Sequence, residues 1–377
     1  MARIDAFLKL GAAQGCSDVH LAVGVPPMLR MNGELMPIKF RNLAEAELES
    51  YVTEILTPSH RDTFMQGHDV DFSYVSGDNA RFRVNVFRKD TGVGAVFRAI
   101  PSEVPTIESL NLPAVVSKFC DYHQGMVLVT GSTGTGKSTT LAAMIDLLNR
   151  NRRLNIISLE DPIEFVHRNK MATVTQREIR TDTLSYATGL RSALRQDPDV
   201  IMIGEMRDAE TIETALVAAE TGHLVFSTLH TLNAPETINR IVTVFPPHQQ
   251  DQIRHQLAGV LRASVSQRLL QAADGKRRVL AAEVLVSTPY IKDCIQDRDK
   301  TSLIPDAIVA GASEYGMQSF DQAILKLCHD GVVSVAEAEG SVTNVEEFRM
   351  RLRGITTGAG TNMVTNGMGA DEPRFVR

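Results

Sequence analysis

Apolar residues near the start of the chain recur at helical spacing. Ile4, Phe7, Leu8 and then Gly11 with Ala12 fall on one face, which predicts an amphipathic helix over residues 4–14. Beyond it the period shortens. Met28-Leu29-Arg30-Met31 and Glu34-Leu35-Met36-Pro37-Ile38 flank Asn32-Gly33, a strong hairpin signal. Residues 43–56 return to helical spacing. Segments 70–75, 81–87 and 93–100 then predict an antiparallel meander broken at Ser76-Gly77-Asp78-Asn79 and at Gly92. In the middle segment Phe82, Val84 and Val86 alternate with Arg81, Arg83 and Asn85, so the two arginines share one face. Residues 1–100 therefore predict an α+β domain.

Pro101, Pro105 and Pro113 punctuate a connector over residues 101–114 and favour a semi-extended link. From residue 115 the pattern becomes strands alternating with helices. Segments 125–129, 154–159, 200–203 and 224–228 are apolar enough to be buried on both faces, which predicts a largely parallel sheet with helices on each side. This α/β core extends to about residue 290. Helical segments fill 291–353. Residues 354–377 are rich in Gly, Thr and Asn with few large apolar residues, and predict a disordered tail.

Composition narrows the function. A net charge of −6 argues against broad electrostatic attachment to nucleic acid or anionic lipid. No apolar run approaches the ~20 residues of a membrane span, and the first residues, Met1-Ala2-Arg3-Ile4-Asp5, carry no signal-peptide core. A cytoplasmic protein with no membrane insertion is expected, reaching a membrane only through a partner. Cys16, Cys120, Cys294 and Cys328 are far apart, form no zinc-type pair, and read as small core residues.

The chemistry begins at Gly131-Ser132-Thr133-Gly134-Thr135-Gly136-Lys137-Ser138, which completes the phosphate-binding pattern G-x-x-x-x-G-K-[ST]. The strand Met126-Val127-Leu128-Val129 precedes it, and a helix opening at Thr139-Thr140 follows. Glycines let backbone N–H groups turn inward around an anion, and the helix aims its positive end at the same place. Ser132 through Thr139 are the expected nucleotide contacts. Lys137 reaches the β- and γ-phosphates, and the Ser138 hydroxyl holds Mg²⁺.

Val200-Ile201-Met202-Ile203 ends in Gly204-Glu205, where many phosphate-loop enzymes place the acidic residue that serves Mg²⁺. With glycine in the usual aspartate place, Glu205 is expected to serve the metal, polarise the attacking water, or both. A second strand, Ile156-Ile157-Ser158-Leu159, ends in Glu160-Asp161-Pro162-Ile163-Glu164. Parallel strands deliver their C-terminal ends to one crevice, so Glu160, Asp161 and Glu164 are candidates there, Glu164 as the water-positioning group. His223 and His230 bracket the strand between them. His230, at the C-terminal end, is placed to sense the γ-phosphate; His223 is more ambiguous.

These motifs resemble the secretion ATPases of type II and type IV systems, and most closely the PilT-like retraction motors of type IV pili. Ser17-Asp18-Val19-His20-Leu21, Val25-Pro26-Pro27 and Asn32-Gly33 are similar to the family's N-terminal signature. Residues 131–139 match its Walker A loop, 159–165 its aspartate box, 200–208 its Walker B segment and 221–231 its histidine box. The resemblance implies a PAS-like N-terminal domain joined to a RecA-like ATPase domain, a homo-hexamer, and arginines (here Arg81 and Arg83) that reach the bound nucleotide across domains. It also implies work at an inner-membrane platform protein, beside a paralogous retraction ATPase. One element departs. Where the retraction motors carry Ala-Ile-Arg-Asn-Leu-Ile, this chain reads Tyr290-Ile291-Lys292-Asp293-Cys294-Ile295. A principal retraction motor, an accessory motor of the PilU kind and a pilus-assembly or secretion ATPase therefore stand as alternatives within the class. A DNA-translocating RecA-like motor stands outside it, against the acidic charge.

Overall fold

The computed structural model describes residues 2–31, 33–77, 80–101 and 103–354. The features expected at Asn32, at Asp78 and Asn79, and over the tail from residue 355 lie outside the described residues. The fold is α/β. It divides into two compact units, Met1–Val129 with Gly136–His230, and Thr130–Thr135 with Thr231–Arg377.

The first unit opens with α1 (Asp5–Ala13), β1 (Asp18–Ala22), β2 (Met28–Met31), β3 (Glu34–Pro37), α2 (Glu45–Ile55), α3 (Pro58–Met65), β4 (Val70–Val75), β5 (Arg81–Lys89) and β6 (Gly92–Ile100). Its sheet runs β3-β2-β1-β6-β5-β4, with antiparallel neighbours throughout. The predicted face of α1 is the buried one: Phe7, Leu8 and Gly11 join Ile4 against Val19, Leu21 and Phe97. Sequence pattern does not reveal β1, yet β1 lies inside the sheet. Its polar Asp18 is buried and accepts from Arg98 Nε at 2.9 Å and Ser17 Oγ at 2.8 Å, so a satisfied carboxylate sits where an apolar residue would have marked the strand. In β5 Phe82, Val84 and Val86 are buried while Arg83 is exposed and Arg81 half-buried, as alternation requires. The connector is packed rather than free-standing, since Ile107 and Leu112 are both buried.

Next come α4 (Val115–Lys118), β7 (Gly125–Thr130), α5 (Lys137–Asn151), β8 (Asn155–Glu160), β9 (Thr173–Glu178), α6 (Tyr186–Ala193), β10 (Val200–Ile203), α7 (Ala209–Glu220) and β11 (Leu224–Leu229). The strand order is β7-β11-β10-β8-β9, and the β11/β10, β10/β8 and β8/β9 pairs are parallel. Every residue of β7, β10 and β11 is buried, which is why these strands read as continuous apolar runs. The edge strand β9, Thr173-Val174-Thr175-Gln176-Arg177-Glu178, is polar and half-exposed, and carried no such signal.

The second unit holds α8 (Ala234–Thr243), α9 (Pro247–Val260), β12 (Leu261–Gln271), β13 (Arg278–Val286), α10 (Pro289–Gln296), α11 (Ile304–Ala310), α12 (Ala312–Tyr315), α13 (Phe320–His329), α14 (Val335–Glu339) and α15 (Val345–Leu352). The expected helical region is present. The long antiparallel β12–β13 ribbon was not anticipated: β12 follows α9 without a break, and its buried Ser264, Ser266 and Gln267 dilute the strand pattern. Leu270, Phe320, Ile324 and Phe348 form the core beneath it.

Candidate active site

Between β7 and α5 the chain turns through Gly131, Gly134 and Gly136, all at left-handed φ. At Gly131 (φ +144°) glycine is obligatory on two counts, because a Cβ would lie 2.6 Å from the Gln267 carbonyl oxygen and 2.7 Å from Thr135 Oγ1. Thr135 donates to the Ser132 carbonyl at 2.9 Å and closes the loop on itself. Ser132, Thr133 and Gly134 are exposed, whereas Lys137 at the first turn of α5 is buried. Burial pushes the Lys137 ammonium below its ordinary range, and the Glu164 carboxylate pulls the other way. A buried cation at a helix N-terminus lined with glycine amides is an anion cradle. The Ser138 hydroxyl is half-exposed beside it.

The strand ends converge as parallel pairing dictates. Leu159 pairs with Ile203 and Ile203 with Ser227, so Glu160, which ends β8, and Glu205 and His230, just past β10 and β11, lie at one end of the sheet. Glu205 Oε2 lies 2.9 Å from His230 Nε2, and Glu205 Oε1 pairs with Arg207 Nε. Burial and the charges of Lys137 and Arg207 all hold the His230 imidazole below its ordinary range. It is therefore neutral at pH 7, and its Nε2–H donates to the carboxylate. The glycine that precedes Glu205 has a structural reason. A Cβ at Gly204 would meet Tyr186 Oη at 2.9 Å and the Leu159 carbonyl oxygen at 3.2 Å, so aspartate does not fit there. Gly204→Ala is expected to destabilise the protein by about 1–3 kcal/mol through this overpacking, read as a lower midpoint in urea.

The aspartate-box residues are placed differently from one another. The Glu160 carboxylate is buried, accepts from Ser158 Oγ at 2.7 Å and Gln176 Nε2 at 2.9 Å, and is pushed up by burial. Asp161 pairs with Arg180 Nη2 at 3.3 Å. Glu164 is exposed, and its charge acts on Lys137. His223 is not brought to this group. It precedes β11, bonds the Ala218 carbonyl through Nδ1 at 2.9 Å, and lines a small cavity with His123, Arg152 and Asp199. The length of β11 separates it from His230, about 20 Å at ~3.3 Å per residue. Beyond the backbone ladder of β5, the side chains of Arg81 and Arg83 make no hydrogen bond or ion pair with other described residues. Sequence reading passed over Arg207 and Tyr186. The signal for Arg207 is its place two residues after Glu205, which returns its guanidinium to the same carboxylate.

A glycine loop over a buried lysine, with a carboxylate–histidine pair at the neighbouring strand ends, defines a phosphate-loop nucleotide-binding protein. Residues 29–339 match the family model described as type II/IV secretion system protein, and the chain belongs to that family. The type IV pilus retraction ATPase PilT of Pseudomonas aeruginosa is 45% identical over 345 residues, covering 92% of this chain and 99% of the relative. The type IV pilus ATPase PilU of the same organism is 38% identical over 349 residues, covering 93% and 91%. A solved structure of the pilus retraction motor PilT with bound ADP superposes with a TM-score of 0.85 at 41% identity, covering 92% of this chain and 99% of that one.

Proposed function

We propose that this chain is a Mg²⁺-dependent ATPase that powers retraction of type IV pili, and hence twitching motility. In this reading it works as a homo-hexamer at the cytoplasmic face of the inner membrane, against a platform protein. The observation that carries the reading is the Glu205–His230 pair, held at the strand ends with the buried Lys137 acting on the same imidazole. Among the described residues no helix is long and apolar enough to cross a membrane, so a motor of this kind would reach the membrane through its partner.

The loop amides and Lys137 bind the β- and γ-phosphates and neutralise charge that builds as the γ-phosphoryl group leaves. The oxygen donors of Ser138 and Glu205 suit a hard cation such as Mg²⁺, which when bound would screen the phosphate oxygens. Glu205 accepts a hydrogen bond from the attacking water, and neutral His230 fixes the rotamer of that carboxylate. Glu164 orients the water from the neighbouring strand end. Thus catalysis comes mostly from positioning and charge neutralisation. Glu160 and Asp161 contribute through the packing and ion pair they make. A strain lacking the gene tests the output: hyperpiliated, non-twitching cells support retraction, whereas bald cells would assign the chain to pilus assembly.

A second reading, an accessory retraction motor, is favoured by α10. Ile291, Cys294 and Ile295 are fully buried there, while Asp293 is exposed and Lys292 half-exposed. The apolar spacing of the retraction element is kept and its polar face is changed. Replacing Lys292 and Asp293 with Ala is expected to leave ATP hydrolysis and assembly size intact while impairing twitching. Loss of soluble assembly, seen by gel filtration, would instead make the face structural.

A further inference from the structure

The β12–β13 ribbon buries a carboxylate where its neighbours are small or apolar. Glu283 sits in β13 among Ala281, Ala282, Val284 and Leu285, all of them buried, and is itself only 7% exposed. Directly opposite it in the antiparallel register stands Ser266 of β12, also buried. Paired residues share a face, and Ser266 Oγ donates to Glu283 Oε1 at 3.3 Å. The same oxygen accepts from the Ala234 backbone N–H at 2.8 Å, whereas Oε2 has no hydrogen bond among the described residues. On its other side Ser266 Oγ accepts from Thr130 Oγ1 at 3.1 Å.

Thr130, Ser266, Glu283 and Ala234 therefore form one buried line of hydrogen bonds, and both of its ends adjoin the site. Thr130 is the last residue of β7, and Gly131 of the phosphate loop follows it. Gln267, next to Ser266, supplies the carbonyl that leaves Gly131 no room for a Cβ, so β12 bounds the loop there. Ala234 opens α8 on the segment that leaves His230, and its N–H is one that the helix itself does not satisfy. Burial pushes the Glu283 carboxyl up, while the bonds from Ala234 and Ser266 pull it down. An apolar side chain would fill the place at less cost. What it would not do is accept both bonds at once.

We propose that Glu283 is a positioning residue for ATP hydrolysis, a brace that sets the start of the phosphate loop and the segment leaving His230 in one register. This rests on the reading of Lys137, Glu205 and His230 as the groups that serve hydrolysis. Glu283 acts through others, by way of Ser266 to Thr130 and directly on Ala234. Lys137 and the loop amides, which hold the nucleotide, are not members of the brace. Its loss should therefore disturb the geometry of attack more than the grip on phosphate, and appear in kcat rather than KM.

The test is steady-state ATP hydrolysis by the full chain. Glu283→Ala is expected to lower kcat about tenfold with KM for ATP unchanged. Glu283→Gln should restore turnover, because its amide oxygen accepts both bonds and its nitrogen replaces an oxygen that has no partner to lose. Thr130→Val, which keeps the shape and removes the hydroxyl, should lower kcat about fivefold, and Thr130→Ser should recover it. The Glu283→Ala/Thr130→Val double variant should lose no more than Glu283→Ala alone, since both cut one line. Additive losses, a defect confined to KM, or a glutamine that does not rescue would each overturn the brace. If circular dichroism shows Glu283→Ala unfolded, Thr130→Val decides: parent-rate turnover overturns the brace, and a kcat loss that serine recovers upholds it. Lys137→Ala and Glu205→Gln are assayed in parallel. If those two are impaired while Glu283→Ala and Thr130→Val turn over at the parent rate, the brace is wrong and the site reading stands. Parent-rate turnover by both Lys137→Ala and Glu205→Gln would remove the site reading and the brace with it.

Discussion

Glu205→Gln is expected to bind ATP and hold it, with steady-state hydrolysis reduced by on the order of 10²–10⁴, the range of a lost general base. The substitution keeps the shape of the side chain. Its amide can still accept the His230 Nε2–H now given to Oε2, so the local packing survives. What it loses is the negative charge that polarises water and pairs with Arg207. Lys137→Ala should fail earlier. Removing a buried ammonium from the helix N-terminus deletes the charge that meets the β- and γ-phosphates, so nucleotide affinity and turnover should fall together. Retention of radiolabelled ATP on a filter, beside phosphate release, separates the two variants. Glu205→Gln at the parent rate, or Lys137→Ala with undiminished ATP affinity, would refute the respective roles.

Most of this site was legible in the sequence, because phosphate chemistry imposes a short contiguous motif. The loop spacing foretold the strand, the glycine turn and the helix that begins at Lys137. The carboxylates were legible as strand ends, since β8 and β10 are buried apolar runs whose first polar residues mark the crevice. What stayed hidden depends on partners distant in sequence. Glu160 and Glu164 look alike in the chain, yet Gln176 sixteen residues on buries one in hydrogen bonds and leaves the other exposed. The substitution of glycine for aspartate at residue 204 is explained only by Tyr186 Oη and the Leu159 carbonyl, neither near it in sequence. By contrast, His223 and His230 were legible as the two ends of one strand, and β11 sends them to opposite ends of the sheet as that reading requires. Strands β1, β9 and β12 were missed for one reason: each carries polar residues, Asp18, Gln176 and Ser266 among them, whose partners lie far off in sequence.

Arg83→Ala and Lys137→Ala subunits, each nearly inactive alone, are expected to regain ATPase activity when mixed. The expectation follows from where β5 is held. Arg83 stands opposite Ser73, and Ser73 is bonded to Glu178 on β9. In the strand order β7-β11-β10-β8-β9, that anchor is four strand spacings from β7, about 19 Å at ~4.8 Å each. Lys137 opens α5 after β7, so the contact that holds Arg83's sheet lies at the other edge of this strand order. With no side-chain partner among the described residues, the guanidinium is available to a nucleotide held by a neighbouring subunit, where its planar donors match phosphate oxygens as lysine would not. An arginine supplied in trans is worth on the order of 10³–10⁵ in rate, so even a minority of repaired sites should stand clear of the background. In mixed rings some intact loops, contributed by Arg83→Ala subunits, meet intact arginines from Lys137→Ala neighbours. No recovery on mixing would assign the arginines to their own chain's site. An Arg81/Arg83 double alanine variant with parent turnover would remove them from the reaction altogether.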